Sequence, residues 1–133
     1  MQVVLGLGCD RGTSLATLQA AIIFALQSVN LSLENVCALA TIDKKSDEAA
    51  ILELSQLQNW PLQFYSSEQL AQVAVPNPST VVQKYMGTPS VSEAAALLAA
   101  NTDMSQLLVE KYKYCGEDGK NATVSIVQMS ESK

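Results

Sequence analysis

Two hydrophobic periods alternate along this chain, and that alternation restricts its fold more than any other feature. Val3, Val4, Leu5 and Leu7 form a short, nearly continuous apolar run. Such a run suits a strand covered on both faces, as in parallel sheets. Leu15, Leu18, Ile22, Leu26 and Val29 then recur at three- and four-residue steps. They predict a helix over 13–29, with Thr13 or Ser14 as its N-cap. Val36–Ile42 (VCALATI) reads as a second buried strand, and Ser46–Gln58 as a helix with Ile51, Leu52 and Leu54 inward. Pro61–Tyr65 is a short strand, and Ser66 opens a helix with Gln69 at capping-box spacing. Strand, helix, strand, helix in this order predicts a layered α/β fold.

The second half departs from the pattern. Val75-Pro76-Asn77-Pro78-Ser79 cannot be helix interior and predicts a rigid turn before a helix over 79–86 that Gly87 ends. Thr88-Pro89-Ser90 opens the next helix, Val91–Ala100, with Ser90 and Glu93 as a capping box. Gln106–Tyr114 and Ala122–Met129 read as strands around an Asp118-Gly119 turn signal. The expected ending is therefore an antiparallel β-hairpin, which makes the sheet mixed. A single domain over residues 1–133 is expected, since no linker, repeat or low-complexity segment interrupts the chain.

Composition narrows function by exclusion. A net charge of −5 argues against a nucleic-acid partner, which needs a basic face to displace counterions. No run of about 18 apolar residues predicts a membrane span, and MQVVLGLG lacks the basic start and cleavage site of a signal peptide. Three irregularly spaced cysteines fit reduced thiols in a cytoplasmic protein, with no disulfide frame or zinc site. There is no histidine. Serine–histidine and cysteine–histidine catalysis are thus absent from this chain, and proton transfer falls to Asp, Glu, Lys, Tyr or Cys. No cofactor and no metal are expected.

Four loops carry the candidate chemistry. The first is Gly6-Leu7-Gly8-Cys9-Asp10-Arg11-Gly12-Thr13. Its glycines read G-x-G-x-x-x-G, one residue too long for a dinucleotide fingerprint. A plain strand-to-helix turn and an anion site at a helix start both remain. Arg11 favours the anion, because a guanidinium there does not help the helix by itself. Cys9 reads as a packed thiol rather than an activated nucleophile. The second loop holds Thr41, Asp43, Lys44, Lys45, Asp47 and Glu48; its lysines are either a solvated pair or a second anion contact. The third and fourth loops offer Asn77 and Ser79, then Gly87, Thr88, Ser90 and Glu93, all of which also satisfy ordinary capping and turn chemistry. Loops that follow parallel strands share one edge of a sheet. One cleft rich in cationic and hydroxyl donors is expected there, suited to a polycarboxylate. Gly8, Cys9, Arg11, Gly12, Thr13, Thr41, Lys44, Lys45, Asn77, Ser79, Gly87, Thr88 and Ser90 are the candidate binding residues. Asp43, Glu48 and Glu93 are the candidate bases.

GLGCDRGT, LATIDKKSDEAAI, VPNPSTVV, GTPSVSEAAALLAA and KYKYCGEDGKNATVSIV follow one another over nearly the whole chain. In this order they resemble the C-terminal domain of the CbiG family of cobalamin biosynthesis, also found alone as CobE. The resemblance implies a three-layer α/β/α fold, mostly parallel with the antiparallel hairpin at its end. It implies a role in making the corrin ring, whose intermediates carry many acetate and propionate side chains. Longer family members bear additional N-terminal regions and open the lactone of cobalt-precorrin-5A, releasing acetaldehyde. It also implies that Asp10 stands where the family more often has a basic residue, set to neutralise Arg11. Two functions stay open at this point. One is a hydrolase acting on a corrinoid, completed by a further domain or another cobalamin-pathway protein. The other is a corrinoid-binding or partner domain without chemistry of its own. A nucleotide-binding α/β protein ranks behind both.

Overall fold

The computed structural model describes residues 2–43, 48–71, 91–102 and 106–129. Their strands are β1 (Val3–Cys9), β2 (Val36–Ile42), β3 (Leu62–Tyr65), β4 (Leu107–Cys115) and β5 (Asn121–Gln128). The helices are α1 (Leu15–Gln27), α2 (Ala49–Gln58), α3 (Ser67–Ala71) and α4 (Val91–Ala100). The described strands form one sheet in the order β3-β2-β1-β5-β4. β1, β2 and β3 run parallel, and the β4–β5 hairpin adds antiparallel beside β1.

β1 is apolar at nearly every position because both of its faces are covered. Val3, Leu5 and Leu7 point into a core shared with Leu18, Ile22 and Leu26 of α1 and Ile51 and Leu54 of α2. Val4 points the other way, into a second core with Leu70 of α3 and Ala94, Ala96 and Leu97 of α4. The strand alternation thus feeds two helical layers, as the three-layer expectation requires. The alanine-rich face of α4 lets that helix lie close: the Ser92 carbonyl sits directly over Gly6, and Ser125 Oγ donates to Ser92 Oγ at 2.8 Å beneath it.

Several local signals act as read. Ser14 caps α1, its hydroxyl accepting from Thr17 N at 3.2 Å. Ser66 and Gln69 make a reciprocal capping box at 3.1 and 2.9 Å. One boundary is corrected: α2 begins at Ala49, not Ser46, because Glu48 is extended (φ −77°, ψ 108°) and its carboxylate turns away from its own helix. The expected helix over 79–86 and the Ser90 cap lie outside the described residues. No helix among the described residues is long and apolar enough to cross a membrane.

Candidate functional site

The topology brings distant segments to one sheet edge. β5 is antiparallel to β1, and β4 to β5, so β4 runs in the direction of β1. Cys9 pairs with Ala122, and Cys115 with Asn121. The hairpin turn after Cys115 therefore lies beside the turn after β1, at the edge where the parallel strands end. Asp43, just beyond β2, and Glu48, just before α2, belong to the same edge.

Among the described residues, Glu48 and Asp118 reach into the turn after β1, and Asp10 reaches out of it to β5. Glu48 Oε2 accepts from Arg11 Nη1 at 2.9 Å, and its Oε1 accepts from Gly12 N at 2.8 Å. Asp118 reaches in from the hairpin: Oδ2 accepts from Ser14 N at 2.9 Å, and Oδ1 from Thr17 Oγ1 at 2.9 Å. Asp10 Oδ2 accepts from Asn121 N at 2.9 Å and from Asn121 Nδ2 at 3.1 Å. Arg11 Nη1 meets a carboxylate of the chain itself, that of Glu48. The amides of this turn that face an anion, Gly12 N and Ser14 N, serve Glu48 and Asp118.

Asp10, expected to neutralise Arg11, makes its hydrogen bonds elsewhere. Its carboxylate ties β1 to the start of β5, and the carboxylate on Arg11 Nη1 is that of Glu48. The remaining candidates separate by burial. Thr13 and Thr41 are buried and engaged, Thr13 Oγ1 donating to Asp10 O at 2.6 Å and Thr41 Oγ1 to Leu7 O at 2.8 Å. Gly8 and Cys9 are half-buried at the strand end, and Cys9 packs against the core, as its packing reading anticipated. Gly12 is exposed, as is Asp43. Arg11 has a side chain 60% exposed, against 7% for Glu48. Glu93 is 0% exposed, in the first turn of α4. Lys44, Lys45, Asn77, Ser79, Gly87, Thr88 and Ser90 lie outside the described residues. None of the three cysteines is in a disulfide. Among the described residues no three ligand-bearing side chains converge to hold a metal ion.

Asp118 is the site-edge residue that the sequence reading missed. α1 has no acidic residue in its own first turn, and the carboxylate that serves it comes from 104 positions away. The Asp118-Gly119 signal marked a turn, which it is, but local spacing carries no trace of a cap donated across the fold. Accepting from the Ser14 amide first and the Lys120 amide second holds the Asp118 carboxyl down from the usual 3.8 to about 2. A depressed folded-state value favours the folded protein above the unfolded pKa and loses that contribution as pH falls through the folded one. Urea unfolding of wild type and Asp118→Asn should therefore differ by a constant amount above about pH 5, and the difference should shrink between pH 4 and about 2. A difference independent of pH over that window would remove the carboxylate from the cap.

A groove of about 520 Å³ opens at the opposite edge, lined by Ile23, Leu26, Leu31, Leu33 and Glu34 among others. Its lining is apolar with an acidic rim, a poor match for a polycarboxylate. The loop edge differs in presenting Arg11, whose side chain is exposed.

Comparison with known proteins follows the same lines. Residues 3–127 match the family model described as cobalamin synthesis G C-terminus. The chain is 35% identical over 124 residues to a cobalt-precorrin-5A hydrolase of Priestia megaterium, covering 93% of the chain but 31% of that protein. It is 34% identical over 111 residues to the protein CobE of a Sinorhizobium species, covering 82% of the chain and 71% of that protein. A crystal structure of CobE, described as a protein from the cobalamin (vitamin B12) biosynthetic pathway, superposes with a TM-score of 0.78 at 30% identity, covering 98% of this chain and 93% of that one. The chain thus spans about a third of the length of the hydrolase relative.

Proposed function

Because the chain belongs to the cobalamin synthesis G C-terminus family, a cobalamin biosynthesis family, we propose that it binds a polycarboxylate corrin-ring intermediate and supplies the C-terminal part of a cobalt-precorrin-5A hydrolase. The observation that carries this reading is the similarity to a protein named for that activity, at 35% identity over nearly the whole chain. The loop edge supports it with an exposed guanidinium held in place by Glu48.

Lactone opening adds water across the ester, so it needs a base for the attacking water and donors for the oxyanion. Of the three candidate carboxylates, Glu48 is engaged by two donors and Glu93 is fully buried. Asp43 is exposed at the end of β2, on the edge that presents Arg11. In this reading Asp43 is the base, and Arg11 holds a ligand carboxylate or the developing charge. The remaining donors come from the part of the hydrolase that this chain does not match, about two thirds of that relative.

The assay is acetaldehyde release from cobalt-precorrin-5A, with this chain alone and mixed with the rest of the Priestia relative as a separate polypeptide. Release is expected in the mixture, and Asp43→Asn should cut it by about a hundredfold or more while corrinoid binding persists. The second reading, a corrinoid-binding domain without chemistry, is favoured by the engagement of Glu48 and the burial of Glu93. It predicts binding of a corrinoid acid but no acetaldehyde in either arrangement.

A further inference from the structure

We propose that Arg11 and the Gly12 amide form a carboxylate-binding fork that Glu48 fills, and that a ligand carboxylate takes the fork by displacing Glu48. The proposal rests on the polycarboxylate reading above. Two donors converge on one carboxylate, one to each oxygen, at 2.9 and 2.8 Å. That is the fork geometry by which a carboxylate is recognised. The two partners differ in access: Arg11 faces solvent, whereas Glu48 closes the fork from the protein side.

Glu48 occupies the N-cap position of α2 but makes no side-chain bond to that helix, so its departure removes no cap, and the two bonds it gives up are the two that a ligand carboxylate restores. The turn keeps its shape without it, because Asp10 still binds Asn121 and Asp118 still binds Ser14 and Thr17. The Gly12 amide and Arg11 would then present the same fork to a different carboxylate.

Displacement also selects the ligand. Glu48 competes intramolecularly, at a high effective concentration. A lone carboxylate in solution cannot match that. A ligand bearing several carboxylates, already held elsewhere on the edge, meets it on equal terms. The internal competitor thereby discriminates against small carboxylic acids and admits polycarboxylates.

The test is a visible-absorbance titration with cobyrinic acid, a corrinoid polycarboxylate, and a parallel calorimetric titration with acetate. Glu48→Gln removes the competing charge and should tighten cobyrinic acid binding by about tenfold. Arg11→Ala should weaken it, the double variant should behave as Arg11→Ala, and acetate should not bind wild type. A folded Glu48→Gln that binds no more tightly than wild type overturns the exchange and leaves the corrinoid reading standing. Absence of binding by both proteins overturns the two together. Should Glu48→Gln fail to fold, the Glu48 side-chain carboxyl carbon and the Gly12 amide are followed by NMR in wild type. Both resonances should move on saturation with cobyrinic acid, and an unmoved Glu48 carboxyl overturns the exchange.

Discussion

Gly6→Ala is expected to cost about 3 kcal/mol or more, a large part of the stability of a domain of this size. A Cβ at Gly6 would stand 1.8 Å from the Ser92 carbonyl oxygen and 2.7 Å from its carbon. The obstacle is backbone, so no rotamer change removes it. α4 would have to lift off β1, exposing the alanine-faced core and straining the buried Ser125–Ser92 hydrogen bond. Thermal unfolding followed by circular dichroism should show Tm lower by about 10 °C or more. Gly8→Ala, two residues along the same strand, is the control. Its Cβ would meet Thr123 Cβ at 3.8 Å, an ordinary contact, and its Tm should stay within about 2 °C of wild type. Equal effects at both positions would contradict the close seat of α4 on β1.

Gly116→Ala is the second large effect, and it reaches the candidate site. The added Cβ would fall 2.0 Å from Thr17 Oγ1 and 2.7 Å from Thr17 Cγ2. Thr17 is buried and β-branched within a helix, where few side-chain rotamers are open to it. Its hydroxyl is also the donor to Asp118. Relieving the clash moves the hairpin turn away from α1 and pulls Asp118 from its cap. A loss of about 2 kcal/mol is expected from overpacking together with the broken hydrogen bonds. Thr17→Ala deletes the two nearest atoms. Chemical denaturation of the double variant should show it less destabilised than the sum of the singles by about 1 kcal/mol. Strict additivity would mean that Gly116 and Thr17 do not touch. The hairpin shift should also weaken corrinoid-acid binding, since the turn that presents Arg11 is anchored to the hairpin through Asp118 and Asn121.

Much of the architecture was legible because its causes are local. The apolar runs at 3–7 and 36–42 announced strands covered on both faces, and the step pattern in 15–29 announced a helix. Ser14, and Ser66 with Gln69, marked helix starts through contacts spanning three residues. The Asp118-Gly119 turn and its flanking strands foretold the hairpin. The α2 start was misplaced because its cause is not local: Glu48 answers to Arg11 and Gly12, 37 and 36 residues away.

The candidate site divides along the same line. Sequence alone placed the turn after β1 at the edge where the parallel strands end, favoured an anion beside Arg11 over a plain turn, and carried motifs that resemble a cobalamin-biosynthesis family. Only the tertiary structure showed that Glu48 is a carboxylate that Arg11 meets. Asp10, Glu48 and Asp118 are far apart in sequence, and nothing in their local spacing distinguishes a clamp from a solvated surface acid. Hydrogen bonds depend on distance in space, and the pairing of β1 with β5 is what brings the hairpin's Asp118 and Asn121 to the first turn. GLGCDRGT is therefore a turn already filled by the protein's own carboxylates, and the fold, rather than the glycines, makes it so.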